Sequence, residues 1–371
     1  MSLKDIFCQD KAIGILQKAY SSGKFAHAYI FAGTDGVGKY KTAREWGKLL
    51  LCEDVRNEGG LVDSCGECKS CKLFEAGSHP DFNHVYKELI EFTKDGKDKK
   101  TPLDLPIDVI REFLIEKAPI RPIVSQRKVF VVSEAEKLNT SSQNALLKCL
   151  EEPPEYCSII LICTRLEKLF PTIKSRCQTI RFLPVDKERI ADKLGEMGLS
   201  KEASEYFARL GQGSLGTACQ WAKLESSGAE LYETKKTIVK SISDYELGDS
   251  LELAKEFLDE SKRIAEIWGK GDEATSKTDI NRRSHKTLVQ IIISALNDAM
   301  KFDIGPEMGV INFDQKSEIK KLAKLFDSEQ LAEKIEECYK TMRWIESAVN
   351  EKLIFEHLLL NIADSVTISG S

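Results

Sequence analysis

The sequence predicts an α/β domain with a parallel sheet, followed by a C-terminal half made of helices. Up to residue 184, short apolar runs alternate with helical segments, a pattern typical of parallel strands covered on both faces. A glycine-rich turn at 33–39 joins the first apolar run to a helix. After Pro184 the segments show helical periodicity and few β-branched runs. We therefore expect two regions of different architecture.

The composition is that of an ordinary globular protein. The chain has 371 residues, 42% of them hydrophobic and 30% charged, and a net charge of −5. This length favours two or three domains, and the acidic balance gives no overall basic field for nucleic acid. No apolar run approaches the roughly 20 residues needed to span a membrane, and residues 1–6 lack a signal-peptide pattern. With clustered cysteines, these features favour a cytoplasmic protein.

The elements of the first half can be predicted in order. Residues 3–22 have the periodicity of an amphipathic helix. The first strand is expected at 29–32, directly before the glycine-rich turn. The later elements are a charged surface insertion at 91–104, helices at 107–117 and 141–152, and strands at 128–132, 158–163 and 178–182. The second helix should end at Pro153-Pro154.

The second half is expected to be helical throughout. A small helical region at 191–221 contains a turn at 211–214. A polar, glycine-containing loop is expected at 268–283. Further helices are expected at 286–300, 317–325 and 328–362.

The turn after the first strand has the spacing of a phosphate-binding P-loop. Its pattern is Gly33-x-x-x-x-Gly38-Lys39, with a further glycine at Gly36. Glycines let backbone N–H groups surround an anion, and the lysine reaches the terminal phosphates. Tyr40 stands where the pattern has a Ser or Thr that holds magnesium. A chance match is disfavoured, because strand, loop, helix and second strand follow in the expected order.

The second strand ends without a complete acidic pair. P-loop ATPases place two carboxylates there, one for the magnesium shell and one for the attacking water. Here the metal-side position is Ser133, and only Glu134 is acidic. With Tyr40, both magnesium-organising positions are therefore weak ligands. Thr164, after the third strand, is a further candidate for nucleotide contact.

A cysteine cluster predicts a metal site. Cys65-x-x-Cys68-x-x-Cys71 together with Cys52 supplies four thiolates, sufficient for one tetrahedral zinc. An iron–sulfur cluster and free thiols are the alternatives, but nothing else in the sequence suggests electron transfer. His79 is a reserve ligand, although His79-Pro80-Asp81 is better explained as the return of the chain to the sheet.

A conspicuous arginine lies between the third and fourth strands, in Ser175-Arg176-Cys177. An exposed arginine on such a loop can act as an arginine finger that reaches the γ-phosphate of a neighbouring subunit. Considered alone, Arg176 would be interpreted as a solvated surface residue.

Taken together, these motifs resemble the bacterial clamp-loader family. Its members are the gamma/tau and delta-prime subunits of DNA polymerase III, which have the AAA+ ATPase fold. The resemblance rests on the P-loop, the four cysteines and the following motifs: His27-Ala28-Tyr29, His79-Pro80-Asp81, Gln143-Asn144-Ala145-Leu146-Leu147-Lys148, Leu150-Glu151-Glu152-Pro153-Pro154, Pro171-Thr172-Ile173 and Ser175-Arg176-Cys177.

The resemblance implies three domains. Residues 1–184 would form the AAA+ domain, with a zinc knuckle at about 52–71, and residues 185–245 a helical lid. Residues 246–371 would form a helical collar. In this family the collars assemble the subunits into a ring, which uses ATP to place the sliding clamp on primer-template DNA.

The departures from the family pattern resemble its delta-prime type. Tyr40, Ser133 and Gly216, where a lid arginine is expected, are all unsuited to hydrolysis, whereas Arg176 is present. This implies a stator with an inactive Glu134, which offers Arg176 in trans to gamma/tau-type subunits and also assembles with delta. A structural zinc is expected, and ATP binding without hydrolysis stays open. The alternatives are an ATP-hydrolysing gamma/tau-type subunit and an unrelated AAA+ ATPase of DNA repair or remodelling.

Overall fold

The structure is a computed structural model of the chain. It describes residues 2–58, 60–94, 102–245, 247–271, 275–302, 309–347 and 350–363. The chain forms two compact units, residues 1–185 and 186–371. Within the described ranges, every helix is too short or too polar to cross a membrane. Residues 95–101 of the expected insertion lie outside the described residues.

The first unit alternates strands with helices. In chain order its elements are α1 (Asp10–Ser21), β1 (Ala28–Ala32), α2 (Lys39–Leu51), β2 (Arg56–Glu58), β3 (Leu61–Asp63), α3 (Lys69–Glu75), β4 (Phe82–Val85), α4 (Ile107–Ile110), β5 (Lys128–Val132), α5 (Thr140–Glu151), β6 (Cys157–Cys163), α6 (Pro171–Lys174) and β7 (Gln178–Arg181). Short 3-10 helices lie at Leu3–Asp5, Lys87–Phe92, Ala135–Lys137 and Leu166–Lys168, and a π-helical turn at Arg111–Ile115.

Five of these strands form one parallel sheet in the order β4-β5-β6-β1-β7. Ile30 in the middle of β1 is in register with Leu161 of β6 on one side and Thr179 of β7 on the other. Because all pairings in this sheet are parallel, the carboxyl ends of the strands meet at one edge and their amino ends at the opposite edge. Strands β2 and β3 form a separate antiparallel hairpin.

The two faces of the sheet bury two hydrophobic cores. Alternate strand residues point to opposite faces, so Ile30 and Phe130 belong to one core, which includes α5 and residues 105–118. Tyr29 and Phe31 belong to the other, where they meet α1 and α2. The fully buried Trp46 of α2 packs edge-on against Tyr29, with ring centroids 6.1 Å apart. Burial on both faces explains why these strands are continuous apolar runs.

One prediction for the first unit is wrong, and one strand was not predicted. Residues 3–22 are not one helix, because the chain turns at Cys8, whose φ of 58° lies in the left-handed region, and α1 starts only at Asp10. The sequence also gave no indication of the edge strand β4. Its residues Phe82-Asn83-His84-Val85 are short and partly polar, so they lack the apolar run that marked the other strands.

The second unit is helical in its described parts, as expected. Its helices are α7 (Lys187–Glu196), α8 (Lys201–Leu210), α9 (Leu215–Leu224), α10 (Leu231–Ser243), α11 (Ser250–Gly271), α12 (Lys277–Lys301), α13 (Lys316–Leu325), α14 (Ser328–Glu346) and α15 (Glu351–Ala363). The expected loop at 268–283 is wrong, because α12 begins at Lys277, capped by the Ser276 side chain, which accepts from the Asp279 N–H. The division of this unit into a lid and a collar stays a prediction.

An ion pair with a buried lysine joins two parts of the second unit. Lys235 of α10 is fully buried and bonds to Asp314, which also accepts from the Tyr232 hydroxyl at 2.8 Å. Burial lowers the pKa of Lys235, and Asp314 opposes that shift. Removal of Asp314 alone would leave a buried, unpaired ammonium, which is strongly destabilising.

Candidate functional site

The P-loop lies at the carboxyl edge of the sheet, between β1 and α2. A Cβ at Gly33 would lie 2.5 Å from the Phe182 carbonyl oxygen, so only glycine fits there without movement of the backbone. Gly36 and Gly38 have φ values of 70° and 102°, which L-residues with side chains rarely adopt. Gly38 directly precedes Lys39, the first residue of α2. The glycines therefore produce the expected loop geometry.

Lys39 makes hydrogen bonds to the loop itself. Its Nζ donates to the carbonyl oxygens of Gly33 at 2.8 Å and Thr34 at 2.5 Å. The residue is only 4% exposed. Burial lowers the pKa of Lys39, and the charges of Asp35 and Glu136 oppose this shift. The ammonium that would reach a phosphate thus has two partners already.

Tyr40 and Ser133, the two weak magnesium positions, are connected through His84. The His84 Nε2 lies 2.8 Å from the Ser133 hydroxyl, and its Nδ1 lies 3.4 Å from the Tyr40 hydroxyl. The His84 ring also packs on the rings of Tyr40 and Tyr86, with centroids 4.8 and 4.7 Å apart. Burial lowers the pKa of His84 to about 4, so the imidazole is neutral at neutral pH.

This group of side chains is unlike a magnesium site. Mg²⁺ prefers an octahedral set of oxygen ligands that includes carboxylates. Here the hydroxyls of Tyr40 and Ser133 contact an imidazole, and Glu134, the nearby acid, pairs with Lys137 at 2.5 Å. Glu134 also has a left-handed φ of 51°. The residues present therefore do not fit a magnesium ion in the usual P-loop position.

Thr164 lies beside the P-loop and has a partner that the sequence did not indicate. It follows Cys163, whose carbonyl oxygen accepts from the Gly33 N–H at 3.2 Å. The Thr164 N–H and hydroxyl donate to the carboxylate of Glu136, at 3.2 and 2.5 Å. A carboxylate thus occupies the donors that Thr164 would offer to a phosphate.

Arg176 lies between α6 and β7 and contacts two helices. Its Nη1 donates to the carbonyl oxygen of Thr172 at 3.0 Å, and its Nη2 lies 2.8 Å from Glu151 Oε1 at the end of α5. The side chain of Arg176 is 34% exposed. A guanidinium has five N–H donors, so these contacts leave donors for a further anion.

Arg176 and the P-loop lie at opposite edges of the sheet. Gly33 follows the carboxyl end of β1, whereas Arg176 comes two residues before the amino end of β7. Strands β1 and β7 are parallel neighbours, with Tyr29 opposite Gln178 and Ala32 opposite Arg181. With about 3.3 Å per strand residue, the length of β1 alone separates the two sites by more than roughly 10 Å. Arg176 is therefore not placed to contact a phosphate in the P-loop of its own chain.

The four predicted cysteines come together as a candidate metal centre. The sulfurs of Cys52, Cys65, Cys68 and Cys71 all lie within 4.8 Å of one another. Cys52 Sγ lies 3.6 Å from Cys65 Sγ, 4.0 Å from Cys68 Sγ and 3.6 Å from Cys71 Sγ. A tetrahedral zinc with Zn–S bonds of about 2.3 Å requires S–S distances near 3.8 Å. The cluster therefore fits zinc in donor type, number and spacing.

Backbone N–H groups point at these sulfurs. The Cys65 sulfur accepts from the N–H groups of Glu67 and Cys68, and the Cys68 sulfur from that of Cys71, at 3.2 to 3.4 Å. Burial raises the pKa of Cys65, but the N–H groups of Cys68 and Glu67 outweigh it and lower the pKa to about 7. Such donors stabilise thiolates, the form that binds a metal.

His79, the reserve ligand, is not in the cluster. Its Nε2 lies 2.9 Å from the Ser70 hydroxyl, and its Nδ1 accepts from the Asp81 N–H at 3.1 Å. The Asp81 carboxylate in turn accepts from the N–H groups of residues 123–125, at 2.7 to 2.9 Å. His79-Pro80-Asp81 therefore shapes the return of the chain to β4 and β5, as the sequence suggested.

The structure thus groups the predicted residues into separate sites. The phosphate-loop group contains Gly33, Gly36, Gly38, Lys39, Tyr40, Ser133 and Thr164. The cysteine cluster and Arg176 stand apart from it, and Gly216 lies in the first turn of α9, in the second unit. Sequence reasoning missed His84, Glu136 and Glu151, which contact the predicted residues. Glu136 and Glu151 carried a usable signal, since each is an acid close to a recognised motif.

The fold and the P-loop define a protein of the P-loop ATPase class. Comparisons with known proteins identify the family within this class. Two family models match the chain. One is described as "DNA polymerase III, delta subunit" and matches residues 8–186. The other is described as "DNA polymerase III, delta subunit, C terminal" and matches residues 278–364. The two matches fall in the first and second units, respectively.

Curated relatives agree with these models. DNA polymerase III subunit delta' of Bacillus subtilis is 25% identical over 357 residues, which cover 96% of each chain. Subunit delta' of Pseudomonas aeruginosa is 37% identical over 155 residues, 41% of this chain and 42% of its own. Subunit tau/gamma of Haemophilus influenzae is 34% identical over 218 residues, 57% of this chain. That match spans only 29% of the tau/gamma chain.

One solved structure covers nearly the whole chain. A gamma subunit-related protein of Thermotoga maritima aligns over 95% of this chain and 99% of its own, at 15% identity and a TM-score of 0.40. The family models and the curated relatives together show that the chain belongs to the DNA polymerase III clamp-loader family of AAA+ proteins, which includes delta-prime and gamma/tau subunits.

Proposed function

We propose that this chain is a delta-prime-type subunit of a bacterial clamp loader. It does not hydrolyse ATP itself, and it supplies Arg176 as an arginine finger to the ATP of a neighbouring gamma/tau-type subunit. In this role it assembles with gamma/tau-type and delta subunits in the cytoplasm. The assembly loads the sliding clamp onto primer-template DNA during replication.

The position of Arg176 carries this proposal. The residue lies at the sheet edge opposite to the P-loop of its own chain, and its guanidinium has donors to spare. An arginine placed in this way can serve a nucleotide held by another subunit, but not one held by its own chain. There it would stabilise the charge that develops on the transferred phosphoryl group.

The contacts of the P-loop side chains support the proposal that this chain does not hydrolyse ATP. Lys39 donates to carbonyl oxygens of the loop, and Thr164 donates to Glu136. The imidazole of His84 contacts the hydroxyls of both Tyr40 and Ser133. Hydrolysis of ATP needs a magnesium ion bound to the phosphates and a positioned water. Neither Tyr40 nor Ser133, which stand at the two positions that would hold the magnesium shell, offers a carboxylate. Phosphate binding without catalysis is compatible with the loop glycines.

We further propose that the four cysteines bind one structural zinc. The β2–β3 hairpin and α3 lie along this part of the chain and are too small to bury a core alone, so a metal would hold them together. Metal analysis of protein purified without added metal should give about one zinc per chain. Iron, or no metal, would contradict this assignment.

The test of the finger is a loader reconstituted with gamma/tau-type and delta subunits. Arg176→Ala should lower its clamp- and DNA-stimulated ATPase by about 10³-fold or more. Lys174→Ala removes a positive charge two residues before Arg176, at the end of α6, and is the matched control, expected to have little effect. Thermal unfolding of each isolated variant shows whether the subunit stays folded. An unchanged rate with Arg176→Ala would reject the finger.

The isolated chain provides the second half of the test. It should show no magnesium-dependent ATP turnover. Turnover that Lys39→Ala abolishes would instead identify an ATP-hydrolysing gamma/tau-type subunit. Failure to co-purify with gamma/tau-type and delta subunits would reject the proposed assembly.

A further inference from the structure

The carboxylate of Glu151 contacts the guanidinium of Arg176. Its Oε1 lies 2.8 Å from Arg176 Nη2, and the Thr172 carbonyl oxygen accepts from Nη1 at 3.0 Å. Glu151 is the last residue of α5, and Thr172 belongs to α6. Two terminal nitrogens are therefore held by two different helices, which fixes both the position and the plane of the guanidinium.

Both anchors are firmly attached to the core. Leu150, next to Glu151, and Ile173, next to Thr172, are 1% and 0% exposed and belong to the same hydrophobic cluster. Pro153-Pro154 follows one residue after Glu151 and limits the backbone beyond the helix end. The backbone that carries each of the two acceptors is therefore held against the hydrophobic core.

The exposure of the pair indicates that it does little for folding. The side chains of Glu151 and Arg176 are 49% and 34% exposed, and ion pairs at such positions add little to stability. A free arginine, however, loses rotamer freedom when it docks on a phosphate, and pre-ordering removes much of that loss. A role in docking explains this contact better than a role in stability.

We propose that Glu151 is a positioning residue for the arginine finger. It holds Nη2 while the remaining N–H donors of Arg176 face the nucleotide of the neighbouring subunit. This inference rests on the proposed function of Arg176. Because the ordering cost of one long side chain is modest, loss of Glu151 should reduce the rate on the order of threefold to tenfold, far less than loss of Arg176.

The test is a double-mutant cycle in the reconstituted loader, with kcat and KM for ATP measured separately. Glu151→Ala should lower kcat by about threefold to tenfold and leave KM unchanged, since Glu151 would act only through the transition-state contact of Arg176. In an Arg176→Ala background, Glu151→Ala should cause no further loss. Glu152→Ala removes the adjacent exposed carboxylate and should leave kcat unchanged.

The outcomes separate the two proposals. If Arg176→Ala leaves the ATPase unchanged, the proposed function fails. If Arg176→Ala lowers kcat but Glu151→Ala has no effect, the positioning role of Glu151 is rejected. The same conclusion follows if Glu151→Ala lowers kcat equally in both backgrounds, or if Glu152→Ala reproduces its effect, because the carboxylate would then not act through Arg176.

Discussion

The two edges of the parallel sheet hold their charged groups in opposite ways. At the carboxyl edge, Lys39 and Thr164 use donors on acceptors within the same chain, and His84 lies between Tyr40 and Ser133. At the amino edge, the part-exposed Arg176 is oriented by Glu151 but retains unused donors. The donors at the carboxyl edge are used within the chain, whereas Arg176 at the amino edge retains the donors that the proposed finger requires.

If the proposed function is right, this P-loop fold retains its shape while its catalytic contribution lies at Arg176. The glycines of the loop are required by backbone geometry whether or not a nucleotide binds. The motif therefore identifies the fold and says little about activity. Activity has to be inferred from the partners of each polar side chain.

The largest expected effect comes from a comparison of a substitution at Arg176 with one at Lys39 of the P-loop. In a reconstituted loader, Arg176→Lys should lower the ATPase rate by on the order of 10³-fold, because an ammonium lacks the planar fork of a guanidinium. Lys39→Ala in this chain should leave the rate within about twofold, since Lys39 makes no contact with the reacting nucleotide in our proposal. Steady-state ATPase assays measure both. A large loss of ATPase rate with Lys39→Ala would mean that the P-loop of this chain contributes to ATP hydrolysis by the loader.

A substitution at Gly33 tests whether the loop serves the fold. Gly33→Ala should destabilise the first unit by about 2 to 4 kcal/mol, because the new Cβ would meet the Phe182 carbonyl oxygen at 2.5 Å. Gly14→Ala is the control, since no atom lies within 4 Å of a Cβ built there, and alanine in a helix should stabilise by about 1 kcal/mol or less. Chemical denaturation measures both changes. Equal stabilities would argue against a structural need for glycine at 33.

The part-buried His84 predicts a dependence of stability on pH. The pKa of His84 is about 4 in the folded chain, against about 6.5 when unfolded. Between these values the unfolded state binds more protons, so stability should fall as the pH drops from about 6.5 to 4, by on the order of 2 to 3 kcal/mol. Urea unfolding across this range measures the loss. His84→Phe should flatten that part of the profile, and an identical slope would show that His84 is not its source.

The smallest expected effect is a gain of magnesium binding at the P-loop. Tyr40→Thr combined with Ser133→Asp introduces the two missing oxygen ligands and should make ATP binding magnesium-dependent, with affinity raised by roughly tenfold. Calorimetric titration with and without magnesium measures this change. Tyr40→Phe, which removes the hydroxyl but adds no ligand, is the control. The same gain in the control would show that the tyrosine blocks the site only through its hydroxyl.

Much of the first unit followed from the sequence, for identifiable reasons. The strands around Ile30, Phe130 and Leu161 are buried on both faces, so they appear as continuous apolar runs. The P-loop and the cysteine cluster depend on residues close together in the chain, and fixed spacing predicts them well. These features are encoded locally or by burial.

The missed features depend on contacts between distant segments. His84 lies on the edge strand β4, which has no apolar run, and it meets Ser133 across 49 residues of sequence. Glu136 meets Thr164 across 28 residues, and Glu151 meets Arg176 only because α5 and α6 pack together. The sequence marks Glu136 and Glu151 as acids near recognised motifs, but spacing does not predict which residue each of them contacts. These contacts decide whether the side chains of a recognised motif are available for catalysis. The motif alone therefore could not predict activity.

Helix α2 connects the P-loop to the cysteine cluster. It begins at Lys39 and ends at Leu51, immediately before Cys52, and the Leu51 carbonyl oxygen accepts from the hydroxyls of Ser70 at 2.6 Å and Ser125 at 2.8 Å. Helices open most easily from their ends, so a bound metal at Cys52 would protect α2 from the end remote from the loop. Proteases act on transiently opened segments. Metal supply would then govern how long the folded subunit survives in the cell, independently of any nucleotide.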